Sequence, residues 1–99
     1  MNEDILTALK SVIDPEVGIN IVDLGLVYRA DLGASEINID LTMTSPACPM
    51  GEMIIDDIRR TLQSSFPETE TVNVELVWDP PWTPSLMSEE IRQQLGFPL

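Results

Sequence analysis

Ninety-nine residues can build one domain around one core but not two, so a single domain over residues 1–99 is expected. Seventeen acidic residues against five basic ones, with no histidine and a net charge of −12, set phosphate backbones and anionic membrane surfaces against this chain: no nucleic acid and no membrane partner is expected, and a basic protein or a metal suits it better. The acids are scattered, which favours solubility as the cause of the charge; a single cysteine, a start at Met1-Asn2-Glu3-Asp4 with no signal-peptide character, and no apolar run long enough to span a bilayer place the expected location in the cytoplasm.

In chain order, Ile5, Leu6, Leu9, Val12 and Ile13 recur at helical spacing behind Asn2, a candidate cap, with Glu3 and Asp4 in the first turn where the helix dipole favours acids. This helix is expected to end before Asp14-Pro15, and a turn to follow from Asp14 to Asn20. In Ile21-Val22-Asp23-Leu24-Gly25-Leu26-Val27-Tyr28-Arg29-Ala30 the second half reads as a strand, and Asp31 to Ser35, with Gly33, as a hairpin connection. Ile37, Ile39, Leu41 and Met43 alternate with Asn38, Asp40, Thr42 and Thr44, the pattern of a strand with one dry and one wet face.

A second helix is expected from about Met50 to about Ser64, its apolar stripe made by Ile54, Ile55, Ile58 and Leu62, with Glu52, Asp56 and Asp57 early and Arg59 and Arg60 late. Pro67 breaks the chain, and Val72, Val74, Leu76 and Trp78 alternate as a third strand. Asp79-Pro80-Pro81-Trp82-Thr83-Pro84 is a stiff turn, after which Ser88 caps a last helix, Glu89 to Leu95, stopped by Gly96 and Pro98. The order helix, strand, strand, helix, strand, helix defines an α+β fold of two layers, a small three-stranded mixed sheet covered by helices. The hairpin between the first two strands occupies one end of that sheet, so the turn after the first helix and the loop before the second meet at the other.

That loop, Thr44-Ser45-Pro46-Ala47-Cys48-Pro49-Met50-Gly51, carries the only thiol. At a helix N-terminus the unpaired N–H groups favour an anion, so Cys48 there is expected to be more thiolate than a free cysteine; the bland alternative is a small buried capping residue. Without histidine the usual cysteine–histidine pair is impossible within one subunit, and one thiol satisfies neither a closed zinc site nor an iron–sulfur cluster, each of which takes about four protein ligands. Iron or a cluster bound here would be shared, exposed or transient, completed by a second copy of Cys48 or by a partner's thiol. Asp14, Glu16 and Asp23 are candidate neighbours. Asp14-Pro15-Glu16 is as readily a simple turn, with Glu16 otherwise an oxygen ligand or base. Asp23 either caps a turn or, beside the thiol, opposes its ionisation unless a cation is present. Thr44 is either a wet-face residue or a hydrogen-bond donor to the thiolate. Trp82 reads as a packing lid before a recognition residue, and Met43, Met50, Met53 and Met87 as filler before a soft-metal box.

Asp14-Pro15-Glu16, Asn20-Ile21-Val22-Asp23-Leu24-Gly25-Leu26-Val27, Thr44-Ser45-Pro46-Ala47-Cys48-Pro49, Trp78-Asp79-Pro80-Pro81-Trp82-Thr83-Pro84, Met87-Ser88-Glu89-Glu90 and Leu95-Gly96, in this order, resemble the iron–sulfur cluster assembly domain shared by SufT, PaaD and a eukaryotic cytosolic cluster-targeting factor. The resemblance covers nearly the whole chain. It implies a non-enzymatic metal-sulfur cluster assembly or transfer factor, with Cys48 as the cofactor-binding and metal residue; Thr44, Asp23 and Glu16 are its candidate neighbours from topology and residue chemistry. A fold similar to the NifU-like cluster-carrying domain is also implied, with assembly proteins and client apoproteins as partners and a homodimer as one arrangement. Residues after Leu99 that would match the cysteine-rich extension of PaaD, or before Met1 that would match longer SufT proteins, are not in the sequence, so the minimal stand-alone form is expected. A thiol enzyme with Cys48 as nucleophile and Glu16 or Asp23 as base, and an adaptor with a structural Cys48, stand as alternatives.

Overall fold

The computed structural model describes residues 1–44 and 51–96. Asn2 caps the first helix, α1 (Glu3–Leu9), by accepting the Ile5 amide on Oδ1 at 3.0 Å. The helix stops four residues before the apolar periodicity does. Lys10 donates to both the Leu6 and Thr7 carbonyls, Ser11 and Val12 donate three residues back to Ala8 and Leu9, and Ser11 Oγ also donates to the Ala8 carbonyl, so the last turn tightens and unwinds. The Val12 carbonyl then takes the Ile21 amide at 3.0 Å, which draws the chain into a small hairpin, β1 (Ile13–Asp14) against β2 (Ile19–Asn20). Val12 stays buried, but Ile13 leaves the helical stripe and is 45% exposed. Loss of the cap in Asn2→Ala is expected to cost about 1 kcal/mol, read as a lowered urea midpoint with unchanged slope.

Between Ile21 and Leu26 the chain coils through turns, Leu24 N–H to Asn20, Gly25 N–H to Val22 and Leu26 N–H to Ile21, and so buries Ile21, Leu24 and Leu26 together. The main sheet follows, in the order β3 (Val27–Leu32), β4 (Glu36–Leu41), β5 (Thr71–Leu76), with β3–β4 antiparallel and β4–β5 parallel. Ile37, Ile39 and Leu41 point into the core from the central strand, in register with Val72, Val74 and Leu76 of β5. On the other face Asn73 donates to Asn38 at 3.0 Å. The expected third strand ends two residues early, at Leu76.

The second helix, α2 (Gly51–Ser65), presents Ile54, Ile58 and Leu62 to the core and packs on α1 and β5, while α1 packs on β3. Because it runs to Ser65, Arg59 and Arg60 lie above its last turn rather than in it, and Arg60 instead pairs with Asp57 one turn back. After β5 a short 3-10 turn, Pro84–Leu86, leads to α3 (Glu89–Leu95), capped by Ser88 and closed by Gly96 at φ +80°, the boundaries that the cap and glycine predict. The α+β architecture and its order of main elements thus agree with expectation, and the β1–β2 hairpin and the 3-10 turn are additions to it.

Candidate functional site

At the C-terminal end of β4 three chain segments meet. Thr42 donates its amide to the Leu26 carbonyl at 2.8 Å, and Val77 donates to Leu41 at 2.8 Å, so the central strand is held on one side by the 21–26 coil and on the other by the start of the tail. From there the tail crosses the 20–28 segment through four contacts. Tyr28 Oη donates to the Pro80 carbonyl at 2.8 Å, and Trp82 Nε1 donates to the Leu24 carbonyl at 2.7 Å. Ser88 donates its amide to the Asp23 carbonyl at 2.8 Å. Gly25, at φ +78°, lies so close to Leu86 that a β-carbon there would overlap the Leu86 backbone.

Trp82 therefore joins two of the candidate residues. Its indole is anchored beside Asp23 through Leu24, and it lines with Met43, Thr44, Trp78 and Pro81 a cavity of about 300 Å³. The reading of Trp82 as a lid captured its packing but missed this link; its single N–H, which needs a partner when buried, was the available signal. Asp23 is half-buried and fixed reciprocally to Asn20: its amide donates to Asn20 Oδ1 at 2.9 Å and its Oδ2 accepts from Asn20 Nδ2 at 2.8 Å. The cap of this turn is therefore Asn20, whose side chain takes the Asp23 amide, while the Asp23 carboxylate braces the Asn20 side chain.

Asp14 is 1% exposed. Its Oδ1 accepts the Glu16 amide at 2.9 Å and its carbonyl accepts those of Val17 and Gly18, which is the turn chemistry of the motif, while its Oδ2 has no hydrogen-bond partner among the described residues. Thr42 Oγ1 is likewise buried and unpartnered among them, a second polar atom that its strand pattern assigned to the wet face. Glu16 sits exposed at the tip of the β1–β2 hairpin. Cys48 and its flanking residues 45–50 lie outside the described residues, bounded by Thr44 and by Gly51 at the start of α2. Among the described residues no cluster of three or more acidic or sulfur side chains is placed to hold a metal ion.

An orphaned carboxylate oxygen in the interior costs about 1–3 kcal/mol. Asp14→Asn keeps the acceptor for Glu16 and removes the charge, so its thermal midpoint is expected to equal or exceed that of the wild type. A fall of several degrees in calorimetry would mean that Oδ2 makes an interaction worth more than its desolvation.

A small three-stranded α+β sheet whose β4–α2 connection carries, in sequence, the chain's single cysteine is the arrangement to set against known domains. Residues 2–76 match the model of the family described as iron-sulfur cluster assembly protein, and the chain belongs to that family. It is 40% identical over 98 residues to the Fe-S protein maturation auxiliary factor YitW of Bacillus subtilis, covering 98% of this chain and 95% of that one. It is 45% identical over 86 residues to the Fe-S protein maturation auxiliary factor SufT of Staphylococcus aureus, covering 86% and 97%. The crystal structure of a domain of unknown function, DUF59, from Bacillus anthracis superposes with a TM-score of 0.89 at 39% identity, over 95% of this chain and 90% of that one. No helix among the described residues is long and apolar enough to cross a membrane.

Proposed function

We propose that this protein assembles iron–sulfur clusters or transfers them to client apoproteins, with Cys48 as the ligand that holds the cargo. The observation that carries the reading is the match to the assembly family across residues 2–76, a span that includes the chain's only thiol. The cluster is cargo. One thiolate from this chain leaves the remaining positions of a cluster to other ligands, supplied by a second copy or by a donor or client protein, and an incomplete shell is what allows the cargo to leave.

Cys48 lies three residues before the start of α2 in sequence, and in this reading the positive end of the helix dipole favours its thiolate over the thiol. In this reading Thr44 donates a hydrogen bond to the thiolate, and Asp23 and Glu16 contribute oxygen to an iron ion or take up the thiol proton. No covalent turnover of a substrate is required of the chain, so its role is that of a carrier and not of an enzyme. Partners are the donor and the apoprotein, acting in the cytoplasm.

Anaerobic reconstitution of the full chain with ferric iron, sulfide and a thiol reductant tests the proposal. The expected result is a visible sulfide-to-iron charge-transfer band that decays when an apo-ferredoxin is added, as the cluster appears in the acceptor. Absence of any bound iron would overturn it and leave an adaptor that docks clients without handling metal.

A further inference from the structure

The cavity beside Thr44 has a chemistry that the cargo reading does not use. Both tryptophans of the chain line it, together with Met43 and Pro81. Trp78 is 44% exposed, an unusual state for the largest apolar side chain, and it directly follows Val77, whose amide donates to the Leu41 carbonyl. Trp82 is fixed by its N–H on the Leu24 carbonyl, so its one polar atom is already engaged and what it offers the cavity is carbon surface. Among the described residues the slot presents mainly aromatic surface, and aromatic anchors carry much of the energy of an interface.

Charge decides which occupant suits it. None of the five cations lines the slot, and exposed Asp79 follows Trp78 directly. Among the described residues Asp79 is in no ion pair, whereas Arg29 and Arg60 are paired with Asp31 and Asp57. The net charge of −12 steers basic segments toward the molecule and repels acidic ones. An aromatic face in a negative field selects a cation with an apolar stem, and a planar guanidinium, weakly hydrated and able to stack, suits it better than an ammonium. We propose that the Met43–Thr44–Trp78–Pro81–Trp82 slot is a docking site for an arginine side chain on a basic segment of a partner protein. The partner is then the donor or client of the transfer reaction, an assignment that rests on the proposed function, but the slot itself is testable without iron.

Because Trp78 and Trp82 are the only tryptophans, their fluorescence reports on the slot alone. The test titrates the full, metal-free chain with an uncharged-terminus peptide of alternating glycine and arginine, and with matched peptides carrying lysine, leucine or glutamate in place of arginine. A saturable change in emission with the arginine peptide is expected, weaker binding with lysine, and none with glutamate. Trp78→Ala, an exposed position whose fold is checked by circular dichroism, is expected to weaken binding by roughly tenfold in calorimetry, as loss of a desolvated cation–π contact implies; Asp79→Asn weakens it less. The leucine peptide binding as tightly as the arginine peptide would overturn the proposal in favour of a plain apolar groove. Undiminished binding by Trp78→Ala would overturn it in favour of diffuse attraction to the acidic surface, and an unchanged fluorescence with the arginine peptide would exclude the slot. A failure of iron loading leaves each of these outcomes readable.

Discussion

Gly25→Ala is expected to destabilise the fold by about 2–5 kcal/mol, the sum of placing an alanine in the left-handed region and of forcing a β-carbon into packed backbone. At Gly25 φ is +78°, and the added carbon would overlap the Leu86 carbonyl group, which cannot swing aside as the end of a long side chain can. The tail must lift. Lifting it disturbs the bonds from Ser88 to Asp23 and from Trp82 to Leu24, and the burial of Met87 and Ile91 that follows from them. Gly18 supplies the control, since its φ is +77° but the space around it is open. Gly18→Ala is therefore expected to cost only the conformational part, about 1–2 kcal/mol. Urea unfolding of the two variants followed by tryptophan emission measures the difference. Equal losses at the two positions would show that the contact between tail and 20–28 segment contributes nothing to stability.

Cys48→Ser is expected to reduce cluster loading and transfer to the background of protein-free iron and sulfide. Serine is nearly isosteric, but its hydroxyl stays protonated at neutral pH and its oxygen is a poor match for the soft thiolate sites that hold iron–sulfur clusters. Gel filtration of the loaded wild type distinguishes the two ways of completing the shell: a cluster shared by two copies gives a dimer with half-stoichiometric cluster per chain, whereas completion by small thiols gives a loaded monomer. A Cys48→Ser variant that loads and transfers as the wild type does would place the ligands elsewhere and refute the assignment. If neither form loads while both still bind a client, the adaptor reading stands. Loss of a thiol-dependent turnover without any iron would instead favour the nucleophile.

Where expectation and structure agree, the cause is local. Ser88 and Gly96 delimit α3 because an N-cap side chain and a left-handed glycine act within one turn of themselves. The alternation in β4 is legible because one face of that strand is dry along its whole length. Where they differ, a distant group has intervened. Ile13 continues the helical period of α1 on paper, but the Ile21 amide claims the Val12 carbonyl and turns the chain away. Thr42 occupies a wet-face position in the pattern and is nonetheless fully buried, because the wet face ends at the level of Leu41, where the 21–26 coil and the tail close over the strand.

The candidate site divides in the same way. Hairpin topology alone puts the turn after the first helix and the loop carrying Cys48 at one end of the sheet; the structure ties Thr42, just before that loop, to Leu26, and Cys48 itself lies outside the described residues. Glu16, whose role is defined against Cys48, is exposed on the tip of the β1–β2 hairpin.

By itself the sequence determined the main helices and strands, the α+β class and the singularity of Cys48, since periodicity, caps and counts of residue types need no knowledge of what lies across the fold, and its ordered motifs carried the resemblance to the family. Only the tertiary structure decided that the tail is a strap over the 20–28 segment, that Trp82 ties Asp23's loop to the cavity beside Thr44, and that Asp14 and Thr42 are buried with unpartnered oxygens among the described residues. Those facts depend on contacts between residues far apart in the chain, such as Trp82 and Leu24, 58 positions apart, and Ser88 and Asp23, still further. Such contacts form where burial of apolar surface brings segments together, and no short-range pattern encodes them.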